Sequence, residues 1–174
     1  DCGEAGVENM VVISAGFKEI GEEGAKLEEE LVALSKEYGI NIIGPNSLGI
    51  TDSHTPLNSS FAQMMPPKGN IAFISQSGAM MVALLDWSLT SGIGFSKVIS
   101  LGNKAGVSET ELMNYLAEDP ETAVIRCYLE SISDDDNFVK AMRQTTAKKP
   151  IVVLKSGSSN AGAEAASSHT GALA

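Results

Sequence analysis

The sequence predicts an α/β fold in which βα units feed a parallel sheet, and two observations carry that expectation. Short apolar runs alternate with amphipathic stretches along the whole chain. Met10-Val11-Val12-Ile13, Ile71-Ala72-Phe73-Ile74 and Ile151-Val152-Val153-Leu154 are continuously apolar, as strands buried on both faces are. Strands are expected at 9–14, 40–44, 70–75, 95–100, 123–129 and 150–155. In 22–38, Leu27, Leu31, Leu34 and Tyr38 recur at helical spacing while Glu28, Glu29, Glu30 and Lys36 occupy other faces, which predicts an amphipathic helix. Gly39 is placed to end it in the left-handed conformation. Met80, Met81, Leu84 and Leu85 mark a second helix, with Trp87 expected in the core. Ser108 and Glu111 have capping-box spacing ahead of Leu112 and Leu116, and Pro120 closes that helix. Ser133 precedes Asp134, Asp135 and Asp136, with Lys148 and Lys149 towards the other end. Both charge biases suit a helix dipole, so the acidic run reads as a helix start rather than a metal site.

The proline-bearing stretch 59–69 is the expected boundary, dividing the chain into 1–65 and 66–174. No internal repeat is visible, and only the small-residue tail after Lys155 is of low complexity. The 174 residues are 43% hydrophobic and carry a net charge of −10, so a soluble globular protein is expected and nucleic acid and anionic membranes are poor partners. No apolar run approaches the ~20 residues a membrane helix needs. Cys2 and Cys127 fit neither a metal site nor a disulfide framework, and a reducing cytoplasm is expected. Cys127 lies inside a predicted strand as an inert small hydrophobe, and His54, in a polar turn, reads as a solvated loop residue. The first residue is Asp rather than Met, and a piece of a longer polypeptide is expected.

Three features bear on chemistry. Ser75-Gln76-Ser77-Gly78 stands where a buried strand turns into a helix. Small residues there let an anion approach the unpaired first-turn N–H groups, although a plain Ser-capped turn has the same appearance. Ser167-Ser168-His169-Thr170-Gly171 puts one imidazole among small residues in a loop; His suits nucleophilic or acid–base work near neutral pH. Glu130 follows the strand Val124–Leu129 directly, at the end where parallel sheets bind ligands. It could orient an imidazole, be solvated, or pair with Lys155.

Gly44-Pro45-Asn46-Ser47-Leu48-Gly49, Ser75-Gln76-Ser77-Gly78-Ala79, Ser100-Leu101-Gly102-Asn103-Lys104-Ala105 and Ser167-Ser168-His169-Thr170-Gly171 together resemble the NDP-forming acyl-CoA synthetases. The likeness is greatest to the α part of the ADP-forming acetyl-CoA members, relatives of the succinyl-CoA synthetase α subunit, and covers essentially the whole chain. It implies the C-terminal portion of a Rossmann-like CoA-binding domain in 1–65. In 66–174 it implies a flavodoxin-like, succinyl-CoA synthetase-like domain carrying the phosphohistidine loop and truncated at its C-terminus. In that family acyl-CoA is cleaved by phosphate to an acyl phosphate, whose phosphoryl group passes to a histidine and then to ADP. The resemblance assigns the phosphohistidine to His169, its positioning carboxylate to Glu130 and its cradle to Ser75, Gln76, Ser77 and Gly78. Asn46, Ser47, Gly102 and Asn103 would border CoA or substrate, and no resident metal is implied in this chain. CoA is the implied cofactor, with ADP or ATP and Mg2+ held mainly by an ATP-grasp β subunit or fused domain. Acyl-CoA and phosphate are the implied substrates, in an oligomeric, cytoplasmic enzyme that this chain alone would not complete. Two other readings stay open. One is a CoA-binding regulatory module of an acetyltransferase-type fusion, without phosphoryl transfer; the other is a flavodoxin-like domain holding a different phosphate ligand. His169 together with Glu130 favours the enzyme, and an aromatic content of 5% offers little to stack on a flavin.

Overall fold

The computed structural model describes residues 1–132 and 135–157. Ser133, Asp134 and the Ser167–Gly171 motif with His169 lie outside the described residues. In chain order the elements are β1 (Asn9–Val11), a 3₁₀ turn (Lys18–Ile20), α1 (Glu22–Tyr38), β2 (Asn41–Ile43), β3 (Gly49–Asp52) and β4 (Leu57–Ser60). There follow β5 (Lys68–Ser75), α2 (Gly78–Ser91), β6 (Phe95–Ser100), α3 (Glu109–Glu118), β7 (Val124–Leu129), α4 (Asp135–Thr146) and β8 (Ile151–Lys155).

β1 and β2 form a small parallel sheet, and the other strands form a six-stranded sheet in the order β4-β3-β6-β5-β7-β8. The pairings among β6, β5, β7 and β8 are parallel. The two-sided burial expected of such a sheet is plainest in β6, where all six residues are buried. One core cluster brings Ala72, Ile74, Ile99 and Ile125 together with Leu112, Met113 and Leu116 of α3 and Phe138 of α4. The other joins Phe73, Phe95 and Val98 to Met81 and Leu85 of α2. Alternate residues of β5 thus point to opposite helical layers, and each large side chain so buried contributes roughly 1.5–3 kcal/mol.

Helix ends follow the local chemistry. Gly39 closes α1 in the left-handed conformation. Ser108 accepts from the Glu111 N–H while the Glu111 carboxylate accepts from the Ser108 N–H, a complete capping box. Lys149 stands beyond α4 and instead donates its ammonium to the carbonyls of Leu116 and Asp119, at 2.7 and 2.5 Å, neutralising the C-terminus of α3.

Four expectations need correction. The β3–β4 hairpin was not foreseen; it adds to β6 in antiparallel fashion, so the sheet is mixed and two of its strands come from the N-terminal side of residue 65. Its turn is held by the Asp52 carboxylate, which accepts from the N–H groups of His54 and Thr55. In α1 the apolar stripe faces outward, with Leu27 and Leu34 half exposed, while Glu28 is buried. The reason is that Glu28 pairs with Lys18 at 2.9 Å and accepts from Asn103 at 2.7 Å, turning the polar face inward. Trp87 is 46% exposed on the outer face of α2. That helix is apolar on every side, so periodicity could not say which face packs. His54 is not merely solvated: its ring nitrogens meet Glu121 Oε2 at 2.7 Å and the Gly69 carbonyl at 2.9 Å.

Cys127 is buried as expected, and burial pushes its thiol up to about 12, with the Glu109 charge adding to the effect. No helix among the described residues is long and apolar enough to cross a membrane.

Candidate functional site at the C-terminal edge of the sheet

β5, β6, β7 and β8 run parallel and therefore release their following loops at one edge of the sheet. There Ser75 is fully buried at the end of β5 and its hydroxyl donates to the Ser77 carbonyl at 2.8 Å. The Ser77 hydroxyl oxygen accepts from the Met80 N–H at 3.3 Å and caps α2. This satisfies one first-turn donor and leaves the N–H groups of Gly78 and Ala79 outside the helix ladder. Gly78 packs closely against Leu48: a Cβ there would come within 2.8 Å of Leu48 Cγ, and that side chain would have to shift.

Glu130 stands beside this helix start, at the end of the neighbouring strand β7. The residue is 6% exposed, yet its buried Oε2 has no hydrogen-bond partner among the described residues. Lys155 does not pair with this carboxylate; its ammonium donates to the Glu130 carbonyl at 2.9 Å. A buried carboxylate oxygen without a donor is costly. Such an atom points to a donor brought by another group.

Gln76 bridges the two features. Its Oε1 accepts from the N–H groups of Glu130 at 2.6 Å and Ser131 at 2.9 Å, and its Nε2 donates to Ser131 Oγ at 3.0 Å. Lys104 lies on the other side, its ammonium on the Ser131 carbonyl at 2.8 Å and on the buried Glu109 at 3.0 Å. Burial holds the Lys104 pKa below the usual lysine range, helped by the charges of Lys18 and Lys155, although Glu109 opposes the shift. Lys104 has φ 58, a left-handed conformation unfavourable for a side-chain-bearing residue; the pair with Glu109 anchors it.

Asn46, Ser47, Gly102 and Asn103 come together along a seam joining the small sheet to the large one. Asn103, Ala105 and Val107 donate their N–H groups to the carbonyls of Pro45, Gly44 and Ile42 at 2.8–3.0 Å. Ser47 is buried and donates to the Ser100 carbonyl at 2.6 Å. Asn103 donates from Nδ2 to Glu19 at 2.6 Å and Glu28 at 2.7 Å, and its Oδ1 accepts from Asn46 at 3.3 Å. Gly102 has φ 57 and sits so close to Pro45 that a Cβ would meet its carbonyl oxygen at 2.1 Å. These four residues shape the seam through contacts inside the protein. Leu101 ties the seam to the crevice by donating to the Ser75 carbonyl at 2.7 Å.

Sequence reasoning did not single out Ser131; it named Lys104 only within the Gly102-Asn103-Lys104 stretch beside the site, and Lys155 only as a possible partner of Glu130. Ser131 directly follows Glu130, Lys104 lies in the loop after β6 and Lys155 ends β8, but only the strand order brings them to one place. Among the described residues no group of three His, Cys, Asp or Glu side chains could hold a metal.

The parallel strands, the capped helix start and the unpartnered carboxylate define a flavodoxin-like α/β domain whose ligand edge suits an anion beside a hydrogen-bond donor. Comparison with known proteins makes this specific: the succinyl-CoA ligase like flavodoxin domain matches residues 68–174, and the chain belongs to that family. It is 51% identical over its whole length to acetate–CoA ligase (ADP-forming) I of Archaeoglobus fulgidus, of which it covers 25%. It is 47% identical to the α subunit of acetate–CoA ligase (ADP-forming) II of Pyrococcus furiosus, of which it covers 38%. Among solved structures, the dinucleotide forming acetyl-coenzyme A synthetase 1 of Ca. Korarchaeum cryptofilum, in complex with phosphate and ADP, superposes with a TM-score of 0.94 at 43% identity. All of this chain and 38% of that one are covered. The chain therefore spans a quarter to two fifths of the length of these relatives.

Proposed function

We propose that this chain is the phosphoryl-shuttling segment of an ADP-forming acyl-CoA synthetase acting on acetyl-CoA or a similar short acyl-CoA. The enzyme interconverts acyl-CoA, ADP and phosphate with acid, CoA and ATP. The single observation that carries the reading is the buried, unpartnered Glu130 Oε2 beside the start of α2. An imidazole N–H is the donor that such an oxygen lacks. Glu130 then orients His169, and the opposite ring nitrogen attacks phosphorus in the acyl phosphate, breaking the P–O bond to the carboxylate. The first-turn N–H groups of α2 and the nearby Lys104 and Lys155 suit the charge of the resulting phosphohistidine.

Ser75, Ser77 and Gly78 belong to the phosphate side of the site. Asn46, Ser47, Gly102 and Asn103 shape the wall towards CoA, whose thiol and thioester supply the acyl-transfer chemistry. The nucleotide and Mg2+ are held by an ATP-grasp part outside these residues, as a β subunit or a fused domain. Along the sequence the chain passes at 65/66 from a CoA-side portion to the phosphohistidine-bearing portion, whose sheet takes in β3 and β4 from the first, within a cytoplasmic oligomer.

The test is the intact mass of the full-length protein after incubation with Mg-ATP, for wild type and His169→Ala. One acid-labile, base-stable phosphoryl adduct in wild type and none in the variant is expected. A folded wild-type protein that binds CoA yet takes up no phosphoryl group would defeat the reading.

A further inference from the structure

Gln76 lies at the start of the loop between β5 and α2, where a side chain amide could face an incoming phosphate. Its groups are turned elsewhere. Its N–H donates to the Tyr128 carbonyl at 3.0 Å. Its Oε1 takes both main-chain donors that follow β7, from Glu130 at 2.6 Å and Ser131 at 2.9 Å. Nε2 donates to Ser131 Oγ at 3.0 Å. Two backbone N–H groups on one oxygen fix which end of the carboxamide is which. One side chain therefore clamps the residue carrying the unpartnered carboxylate to the loop that begins the anion-binding helix.

We propose that Gln76 is a positioning residue rather than a phosphate ligand: it holds Glu130 in register with the start of α2 so that both act on one phosphoryl-bearing group. This rests on the reading of Glu130 as the partner of His169. Glu130 is past the last residue of β7 that pairs with β5, Tyr128 on Ser75, so the strand ladder does not fix it on that side. Without the Gln76 oxygen, two N–H groups at the sheet edge lose their acceptor, and Glu130 gains freedom where a displacement of about 1 Å can cost about 100-fold in rate.

The test uses the full-length protein, with kcat, the KM for inorganic phosphate and the pH profile measured for Gln76→Ala, Gln76→Glu and Ser131→Ala. Gln76→Glu can keep every clamp contact, since its second oxygen can accept from the Ser131 hydroxyl, and it adds a negative charge beside Glu130. The charged groups around Glu130 stay as they are: Lys155 on its carbonyl, Lys104 on the Ser131 carbonyl, and Glu109 on Lys104. A second carboxylate disfavours ionisation of the first, so the acid limb of the Gln76→Glu profile is expected to move up by about one pH unit. Gln76→Ala should lower kcat about 10- to 100-fold and leave the KM for phosphate within about twofold, the signature of lost positioning. Ser131→Ala, which removes only the Nε2 contact, should lower kcat by about threefold.

A KM for phosphate raised about tenfold or more in Gln76→Ala, with an unmoved acid limb in Gln76→Glu, would make Gln76 a phosphate contact and overturn the proposal. If wild type forms no phosphoryl adduct, the underlying reading falls and the positioning role falls with it. An adduct in wild type together with unaltered profiles in all three variants would defeat the positioning role alone.

Discussion

Glu130 sets a residue-scale conflict between stability and chemistry. Its Oε2 is buried without a donor among the described residues, and an unsatisfied buried polar group costs about 1–3 kcal/mol. Glu130→Gln replaces a charge with a neutral amide of similar shape. The variant is expected to form the phosphoryl adduct at least about 100-fold more slowly, with an unfolding free energy within about 1 kcal/mol of wild type. Equilibrium unfolding and the adduct rate, measured on the same preparation, check both halves. Glu130 could be picked from the sequence because it directly follows an apolar strand. Gln76 could be picked too, but its task could not be read: that depends on β5 lying next to β7, two strands that are not consecutive in the chain.

The elements divide into those whose pattern names their packing face and those whose pattern does not. α3 carries a capping box and a single apolar face, and its Leu112 and Leu116 are buried as the spacing predicts, with Met113 buried beside them. Leu116→Ala there should cost about 2–5 kcal/mol in the unfolding free energy, seen as a fall in the urea midpoint at unchanged slope. α2 is apolar all round and α1 turns Glu28 inward, so the exposure of Trp87 and of Leu27 was not legible. β3 and β4 are four residues each, and Gly-Ile-Thr-Asp and Leu-Asn-Ser-Ser are too short and polar to show a strand period. The pairing of β3 with β6 reaches across more than forty intervening residues, from Asp52 to Lys97.

At the scale of the whole molecule, a buried polar cluster fastens the hairpin to the end of α3. Lys97 pairs with Asp119 at 2.7 Å and Asp52 at 3.5 Å, and Thr122 donates to Asp119 at 2.6 Å while meeting Ser96 at 2.8 Å. Burial alone would raise both carboxyls, but hydrogen bonds and the Lys97 charge outweigh it and hold them below their ordinary range. Burial would lower Lys97, but Asp119 and Asp52 outweigh it and hold its ammonium above the ordinary lysine range. The carboxylates therefore lend stability above their unfolded pKa of about 4 and lose it as pH falls through their folded values. Lys97 lends stability below about pH 10.4 and loses it as pH climbs through its own raised value. A plateau between these limits is expected. Asp119→Asn should lower that plateau by about 2–3 kcal/mol and soften the acid fall, read from urea midpoints across pH.

The hairpin also governs where this polypeptide can be divided. β6 is buried along its whole length and shielded on one side only by β3. A chain begun at residue 66 would uncover a row of unpaired N–H and C=O groups along a strand that is otherwise buried, the kind of edge that recruits other chains. It would also leave Lys97 without Asp52. Begun ahead of Gly49, the same segment keeps a short, polar outermost strand in β4, whose Asn58, Ser59 and Ser60 make it a poor template for aggregation.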